Sequence, residues 1–286
     1  SAYLSLLLKT TNFLIVKPII FLDNPLQTVS TSGNSGIINI NKNYKMNKTK
    51  FGKKIVEIKT KKELVKNLFN NVSNQYDLMN DLMSFGLHRI WKKDLIKNID
   101  ILSPSLILDL AGGTGDISKQ LFKKYKESTI IIYDLSYEMI KKAQKRIKNK
   151  NIIYINGSAE LIALPNNSVD LITISFGLRN FANIDEAVKE CFRILKYGGK
   201  LYCLEFSPSC SKFFKPTYDY YSNNIIPKIG KLVAKNESAY QYLSDSIQSF
   251  YLNPELKNIF NKNGFFCYTD IKYLSGIAIL NVFSKV

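Results

Sequence analysis

A glycine-rich loop flanked by carboxylates is the first place where the sequence could perform chemistry. In the segment LDLAGGTGD, Gly113 and Gly115 lie between Asp109 and Asp116. Glycines let a backbone approach a ligand closely, but Ser118 stands where a dinucleotide-binding loop has its third glycine. Carboxylates repel a pyrophosphate, so the loop favours a nucleoside with a cationic part, such as S-adenosylmethionine. A purely structural glycine turn is the alternative interpretation.

Further polar side chains follow the next predicted strands. Asp134 comes nineteen residues after the last glycine of the loop, where a carboxylate can accept both ribose hydroxyls. Its alternative role is to cap the next helix, although Ser136 can supply that cap. Ser158 and Ala159 would lie beside an adenine, and Ser175 would face the same ligand. The predicted cofactor-binding residues are Asp109, Ala111, Gly113, Thr114, Gly115, Asp134, Leu135, Ser158, Ala159 and Ser175.

An arginine and an asparagine follow the predicted strand 169–176. The segment ISFGLRN begins as a buried β-strand and ends in Arg179 and Asn180. A buried charge without a partner costs several kcal/mol of folding free energy. The guanidinium of Arg179 therefore requires a partner. We expect that partner to be either an anionic group of a ligand or an acid at the rim of the core, Asp185 or Asp81.

A regular alternation of strands and helices would position these residues. It predicts an α/β fold with a doubly wound, mostly parallel sheet that is covered by helices on both faces and binds its ligand at the carboxyl ends of the strands. A tight turn at Ser275 and Gly276 predicts that the last strand runs antiparallel. The predicted strands are 106–110, 129–133, 151–155, 169–176, 199–206, 265–273 and 277–286. The predicted helices are 117–125, 137–149, 184–195 (ended by Gly198 and Gly199), 239–247 and 254–263.

Two helical regions flank this alternation. The spacing of apolar residues predicts N-terminal helices within residues 61–100. The apolar face of the first helix is formed by Leu64, Val65, Leu68, Phe69 and Val72. Residues 207–250 are rich in proline and tyrosine and predict a helical insert that covers the substrate side. Its tyrosines would either wall a cleft for an apolar ligand or pack as an ordinary cover; they are Tyr218, Tyr220, Tyr221 and Tyr240.

The composition is strongly basic. The 286 residues carry a net charge of +17, and residues 1–60 hold nine lysines against Asp23 and Glu57. This excess of positive charge favours an anionic partner. A coding bias toward lysine is the alternative explanation, and it is the preferred one. Scattered lysines without arginines or interleaved aromatic residues are untypical of nucleic-acid-binding proteins, so we expect no nucleic-acid partner. Four cysteines without metal-ligand spacing and one histidine predict no metal site.

Residues 1–50 are expected to lie outside the folded domain, which we place at residues 51–286. They are rich in serine, threonine, asparagine and lysine and nearly free of acid. This composition favours an organelle transit peptide. A disordered extension and a secretory signal are the alternatives.

Four blocks of the chain resemble the ubiquinone/menaquinone biosynthesis C-methyltransferase family over residues 69–286. They are YDLMNDLMSFGLHRIW, LDLAGGTGDIS, ITISFGLRNF and RILKYGGKLYCLEFS. In the last block Tyr197 replaces the usual proline and Ile194 the usual valine. The tyrosine-rich insert is similar as well. The resemblance implies a class I S-adenosylmethionine-dependent methyltransferase with a seven-stranded sheet.

The same resemblance implies C-methylation of a polyprenyl benzoquinol ring in ubiquinone biosynthesis. Arg179 would hold the developing phenolate and Asn180 would orient the substrate, while Tyr76, Asp77 and His88 are candidates for handling protons. For these last three, helix capping or packing is the alternative role. Other functions left open are methylation of demethylmenaquinol, O- or N-methylation of another small aromatic molecule, nucleic-acid methylation, and a mainly scaffolding subunit of a quinone-biosynthesis complex.

Partners and location follow from this implied activity. We expect peripheral contact with an anionic membrane, contacts with other quinone-biosynthesis proteins and a homodimer. The implied location is the matrix face of the mitochondrial inner membrane.

Overall fold

The computed structural model describes residues 14–15, 48–73, 76–208 and 237–286, without the side chains of residues 14, 15, 76, 77, 82, 83 and 237. The strands are β1 (Leu14–Ile15), β2 (Lys48–Phe51), β3 (Lys54–Glu57), β4 (Leu106–Leu110), β5 (Thr129–Asp134), β6 (Ile152–Asn156), β7 (Val169–Ser175), β8 (Leu195–Phe206), β9 (Phe265–Tyr273) and β10 (Ala278–Lys285). The helices are α1 (Ile58–Val72), α2 (Tyr76–Ser84), α3 (His88–Asn98), α4 (Asp116–Lys124), α5 (Tyr137–Arg146), α6 (Ile184–Ile194), α7 (Glu237–Gln248) and α8 (Asn253–Lys262).

The main sheet confirms the predicted architecture. Its strand order is β1-β6-β5-β4-β7-β8-β10-β9, and the pairs from β6 to β8 are parallel. Seven of its strands form the sheet that the resemblance implies, and the two-residue β1 extends it beside β6. Strand β10 lies between β8 and β9 and is antiparallel to both, as predicted for the last strand. The four parallel crossovers therefore bring the loops after β4, β5, β6 and β7 to one edge.

Two apolar layers hold the sheet between its helices. One layer contains Trp91, which contacts Phe176, Phe206 and Tyr273 with ring centroids 5.8 to 6.4 Å apart. The other contains the stacked pair Phe260 and Phe283. All residues of β4 are buried, as expected for a central parallel strand covered on both faces.

Several predicted boundaries differ from the structure. Helix α5 ends at Arg146, three residues early, and α6 ends at Ile194 without a glycine cap. Strand β8 begins directly at Leu195 and has twelve residues, so it is longer than β7. The pairing register between β7 and β8 shifts near this start, where Gly198 has a φ of 76°. The two glycines therefore form an irregularity within a strand, where the sequence suggested a helix end.

The hairpin formed by β2 and β3 was missed by the sequence interpretation. It turns at Gly52, where φ is 58°, and packs on α7 through Phe51, whose ring stacks on Tyr242 at 4.2 Å. The folded domain thus begins at Lys48 or earlier, and residues 14–15 pair with β6. The rest of the proposed transit peptide lies outside the described residues, as do Tyr218, Tyr220 and Tyr221.

Two smaller expectations concern single residues. Leu64, expected on the apolar face of the first helix, is 37% exposed, whereas Val65 and Val72 are buried. Tyr240 is fully buried in the layer that contains Trp91, which matches an ordinary packing role. Among the described helices, none is long and apolar enough to cross a membrane.

Candidate active site

A pocket opens at the edge where four parallel strands end. Open α/β sheets bind their ligands at this edge. Helix α1 closes one side of the pocket with Lys62, Val65, Lys66 and Phe69. The loops after β4, β5, β6 and β7 contribute Ala111, Gly113, Asp134, Leu135, Gly157, Ala159, Glu160, Phe176, Gly177 and Asn180. We refer to it as the cofactor pocket.

The backbone of the pocket is strained at two non-glycine residues. Ala111 and Phe176 have φ values of 56° and 58°, in the left-handed region that costs a side chain about 1–3 kcal/mol. The loops that carry them are in close contact, since a Cβ on Gly177 would lie 2.5 Å from that of Ala111. Such strain concentrates at functional sites, where surrounding packing maintains it.

Asp134 lies where the sequence placed it. One carboxylate oxygen accepts a hydrogen bond from the N–H of Gly113 at 2.9 Å and the other from the N–H of Ser136 at 2.8 Å. Ser136 caps α5 by accepting from the N–H of Met139. The carboxylate lines the pocket, and burial raises its pKa to about 6.

Asp109 is a correction to the predicted cofactor set. Its carboxylate is buried and accepts hydrogen bonds from Oγ of Ser118 at 2.6 Å and Oγ1 of Thr173 at 3.0 Å. Burial raises its pKa to about 6 as well. Asp109 does not line the pocket, and its hydrogen bonds join the first turn of α4 to β7.

The other predicted cofactor residues divide into two groups. Ala111, Gly113, Leu135 and Ala159 line the pocket with Asp134. Three residues do not line it and have structural contacts instead. Oγ1 of Thr114 accepts from Arg146, Oγ of Ser158 contacts Glu160, and Gly115 precedes α4 with a φ of 79°.

Ser175 is a buried side chain with an unused hydroxyl. It ends β7 and is 9% exposed. Its Oγ forms no hydrogen bond with any residue that the structure describes. Buried polar groups normally have partners, so this hydroxyl points to a polar ligand near the strand end.

Glu160 was missed by the sequence interpretation although it lines the pocket. One of its carboxylate oxygens accepts from the N–H groups of Ala182 and Asn183 at 2.8 and 3.1 Å. It thereby joins the loop after β6 to the loop after β7. Its position next to Ser158 and Ala159 was the only signal in the sequence.

Arg179 is bound to a buried acid that the sequence interpretation did not name. Its Nη1 lies 2.7 Å from Oε1 of Glu205 and donates to the carbonyl of Phe176 at 2.6 Å. Its Nε donates to Oγ of Ser246 at 3.3 Å, and its backbone N–H donates to Oε2 of Glu205. Both charged side chains of the pair are almost fully buried.

The two acids expected as partners of Arg179 were wrong, and an anionic group of a ligand as a partner stays a prediction. Asp81 pairs with Arg89, and Asp185 pairs with Lys189. Glu205 is distant in sequence and reaches the end of β7 only because β7 and β8 pair in parallel. Periodicity and local spacing carry no signal for such a contact.

Arg179 and Asn180 face two different cavities. The 3₁₀ turn Leu178–Asn180 places Asn180 in the lining of the cofactor pocket. Arg179 instead lines a wide cleft of about 990 Å³, whose wall also contains Ile55, Ile58 and Phe250. Arg179 is absent from the lining of the cofactor pocket. The turn stands between the two cavities.

Asn180 is oriented by a residue from α7. The hydroxyl of Tyr242 donates to Oδ1 of Asn180 at 2.9 Å. Tyr242 is buried, and burial raises the pKa of its hydroxyl. Tyr242 and Ser246 are one helical turn apart, so α7 contacts both polar residues of the turn. The sequence interpretation assigned no role to either.

Lys61 supports the same turn from α1. Its Nζ donates to the carbonyl of Arg179 at 3.4 Å. The side chain is buried, and this burial lowers its pKa to about 8 against the opposing attraction of Glu160. Helix α1 therefore borders the cofactor pocket with Lys62 and the wide cleft with Lys61.

The candidates for handling protons are not brought to the pocket as a group. His88 is buried, and its Nδ1 lies 2.8 Å from Oγ of Ser84. Burial and the neighbouring Lys92 lower its pKa to about 4. These contacts match the packing role, and His88 lines neither cavity. The side chains of Tyr76 and Asp77 lie outside the described residues, so their role stays a prediction.

The pocket residues fit S-adenosylmethionine chemically. The carboxylate of Asp134 suits ribose hydroxyls, and the ammonium groups of Lys62 and Lys66 suit the carboxylate at the amino acid end. Leu135 and Ala159 offer apolar surface to an adenine. Ser175 does not line the pocket, but it carries the unused hydroxyl and directly precedes Phe176, which does.

Comparison with known proteins agrees with this assignment. The sequence profile of the ubiE/COQ5 methyltransferase family matches residues 56–285. A ubiquinone/menaquinone biosynthesis C-methyltransferase from Hydrogenovibrio crunogenus is 41% identical over 236 residues, which are 81% of this chain and 93% of that protein. One from Rickettsia bellii is 42% identical over 228 residues, 77% of this chain and 92% of that protein.

Solved structures of methyltransferases share the fold. The methyltransferase bound to the Trm112 activator of Haloferax volcanii has a TM-score of 0.58 at 16% identity and covers 77% of this chain and 97% of its own. An S-adenosylmethionine-dependent methyltransferase from Thermotoga maritima has a TM-score of 0.56 at 18% identity. The match covers 78% of this chain and 100% of that protein. With the cofactor pocket and the family match, these likenesses lead to one conclusion: the chain is an S-adenosylmethionine-dependent methyltransferase of the ubiE/COQ5 family.

Proposed function

We propose that the protein transfers the methyl group of S-adenosylmethionine to a ring carbon of a polyprenyl benzoquinol in ubiquinone biosynthesis. The observation that carries this proposal is the turn Leu178–Asn180, which presents Asn180 to the cofactor pocket and Arg179 to the wide cleft. The named activity of the bacterial relatives, ubiquinone/menaquinone biosynthesis C-methylation, supports it.

The acceptor carbon must be activated before it can accept a methyl group. When bound, S-adenosylmethionine supplies an electrophilic methyl. A ring carbon becomes nucleophilic when a neighbouring hydroxyl gives its proton to solvent, because electron density moves onto the ortho and para carbons. After the methyl has moved from sulfur to that carbon, the ring releases the hydrogen of the same carbon to solvent as a proton, and the demethylated cofactor dissociates. Residues of this chain must therefore stabilise a phenolate oxygen and hold the ring in line with the cofactor pocket.

Arg179 is suited to the phenolate oxygen. Glu205, the carbonyl of Phe176 and Ser246 occupy its Nη1 and Nε, and its Nη2 forms no hydrogen bond with another residue of the described part of the chain. This amino group is left for an oxygen in the cleft. Since the other contacts fix the guanidinium, no reorganisation is needed when charge develops on that oxygen. Asn180, fixed by Tyr242, orients the ring from the cofactor side.

Methylation of demethylmenaquinol is the second candidate. The names of the bacterial relatives include both quinones, and the turn with Arg179 and Asn180 would serve either ring. A mainly scaffolding role is disfavoured because Asp134, Lys62 and Lys66, which suit the polar groups of the cofactor, all line the pocket.

The location proposed for this activity is the matrix face of the mitochondrial inner membrane. The acid-poor composition of residues 1–50 supports import, and the lipid solubility of a polyprenyl substrate supports peripheral membrane contact and association with other quinone-biosynthesis proteins. The relatives compared above are bacterial, so the proposal depends on this chain's own N-terminal composition.

An isotope experiment tests the proposed reaction. The protein is incubated with S-adenosylmethionine carrying a labelled methyl and with either a demethylated benzoquinol or a demethylated naphthoquinol. Mass spectrometry and NMR then locate the label. We expect it on a ring carbon, with the higher kcat/KM for the benzoquinol. Label on a ring oxygen would refute C-methylation, and a higher kcat/KM for the naphthoquinol would refute the ubiquinone assignment.

A further inference from the structure

The hairpin of β2 and β3 and the start of α1 form a basic surface, which we call the hairpin surface. Residues 48–60 contain five lysines and only one acid, Glu57, and all six of these side chains are exposed. Lys53 forms an ion pair with Asp245 at 3.1 Å. The other four lysines form no ion pair within the described ranges; they are Lys48, Lys50, Lys54 and Lys59.

Apolar side chains accompany these lysines. Ile55 is 72% exposed and lies directly across the hairpin from Lys50, on the same face. Tyr251 and Leu252, which directly precede α8, are 43% and 45% exposed. Single exposed apolar residues are ordinary, but here Ile55 and Tyr251 both line the wide cleft, and Leu252 follows Tyr251. Apolar side chains among lysines are typical of surfaces that contact a membrane interface.

The hairpin surface stands at the mouth of the wide cleft. Lys48, Lys50 and Ile55 line one side of the cleft, Tyr251 lines the other, and Arg179 lies among its lining residues. A ligand held by Arg179 would therefore have a path toward this surface.

The acids that line the cleft lie on its far side. Asp185 and Glu186 share one partner, Lys189, at 3.0 and 2.9 Å, so one negative charge remains there. Glu255 accepts a hydrogen bond from the N–H of Leu252 and caps α8, which leaves its charge in place. The far side of the cleft therefore keeps negative charge, and the positive charge is concentrated on the hairpin side.

We propose that the hairpin surface docks the protein on an anionic lipid bilayer. The lysines contact phosphate headgroups, and Ile55 reaches the boundary of the acyl chains. The cleft then opens toward the membrane, where a polyprenyl substrate resides. Access of a polyprenyl substrate to the cleft depends on the proposed function, whereas binding of the protein to the bilayer needs no substrate.

Vesicle sedimentation of the full chain tests the proposal. The vesicles consist of phosphatidylcholine alone or of phosphatidylcholine mixed with phosphatidylglycerol. The test variant is Lys54→Gln with Lys59→Gln, because neither residue lines a cavity. The matched control is Lys126→Gln with Lys150→Gln, two exposed lysines next to the amino ends of β5 and β6, at the opposite edge of the sheet. Turnover of a tail-free quinol in solution is measured in parallel.

We expect the wild type to bind the anionic vesicles and not the neutral ones. The test variant should bind about thirtyfold more weakly, at about fivefold per lysine near the surface, and the control should bind like the wild type. Turnover of the tail-free quinol should be equal in all three proteins. Equal losses in variant and control would overturn the proposal, as would unchanged vesicle binding with weaker binding to an RNA oligomer. Absence of turnover in the wild type would refute the proposed function and leave the vesicle result standing.

Discussion

Asp134 controls how the cofactor pocket responds to pH. Burial raises its pKa to about 6, although the N–H groups of Gly113 and Ser136 donate to it. The ionised carboxylate accepts two ribose hydroxyls, and protonation removes acceptor capacity. We therefore expect S-adenosylmethionine to bind with constant affinity above pH 6 and about tenfold more weakly for each pH unit below it, as measured by calorimetry.

The variant Asp134→Asn separates this residue from Asp109, whose pKa burial also raises to about 6. It should bind the cofactor weakly at every pH, with little slope between pH 5 and 7. If the variant keeps the slope of the wild type, the titrating group is Asp109 or another residue, and the assignment of Asp134 is wrong.

Tyr242 tests the orientation of Asn180. The variant Tyr242→Phe removes one hydrogen bond, from its hydroxyl to Oδ1 of Asn180, and keeps the ring stacked on Phe51. Such a bond contributes about 1 kcal/mol, so we expect kcat to fall about fivefold to tenfold with a similar small loss of stability. Steady-state kinetics with a soluble quinol measure the effect.

Tyr240→Phe is the matched control for this variant. Tyr240 lies in the same helix and is also buried, but its hydroxyl has no hydrogen-bond partner among the residues that the structure describes. Its loss should leave kcat unchanged and stability equal or higher. Equal kcat for Tyr242→Phe and wild type would show that Asn180 needs no such support.

At the scale of elements, the ion pair of Arg179 and Glu205 joins the turn after β7 to β8. The variant Arg179→Met leaves a buried carboxylate unpaired and should lower the free energy of unfolding by about 3–5 kcal/mol. The double variant Arg179→Met, Glu205→Met removes both charges and should recover most of that loss, but not activity. Urea denaturation measures both. A double variant as unstable as the single one would show that packing, not charge, dominates here.

The sequence predicted elements better than the contacts between them. Continuous apolar runs identify β4, β5 and β7, and their carboxyl ends locate Ala111, Asp134 and Asn180 because parallel strands share an edge. Glu205 could not be predicted as the partner of Arg179, since the register of β7 and β8 decides it. The hairpin of β2 and β3 lacks a hydrophobic run, and its stacking on α7 is a tertiary contact.

At the scale of the whole molecule, cofactor binding should stabilise the fold. The pocket is built from four strand ends and α1, which are far apart in sequence and close only in the folded state. At a cofactor concentration about 100 times Kd, binding contributes about 2.7 kcal/mol, which should raise Tm by about 5 to 10 °C. Differential scanning fluorimetry measures this shift. The Tm of Asp134→Asn should rise little when the cofactor is added. A rise in Tm equal to that of the wild type would contradict the proposed binding mode.

The position of Arg179 outside the cofactor pocket is the central claim, and the variant Arg179→Lys tests it most directly. Lysine keeps the charge near Glu205 but loses the planar set of donors that leaves Nη2 for the acceptor. Measurement of kcat with a soluble quinol and of Kd for S-adenosylmethionine on the same protein separates the two cavities. We predict that kcat falls by about a hundredfold or more while Kd stays within about twofold of the wild type. An unchanged kcat, or a Kd that weakens as much as kcat falls, would contradict the account.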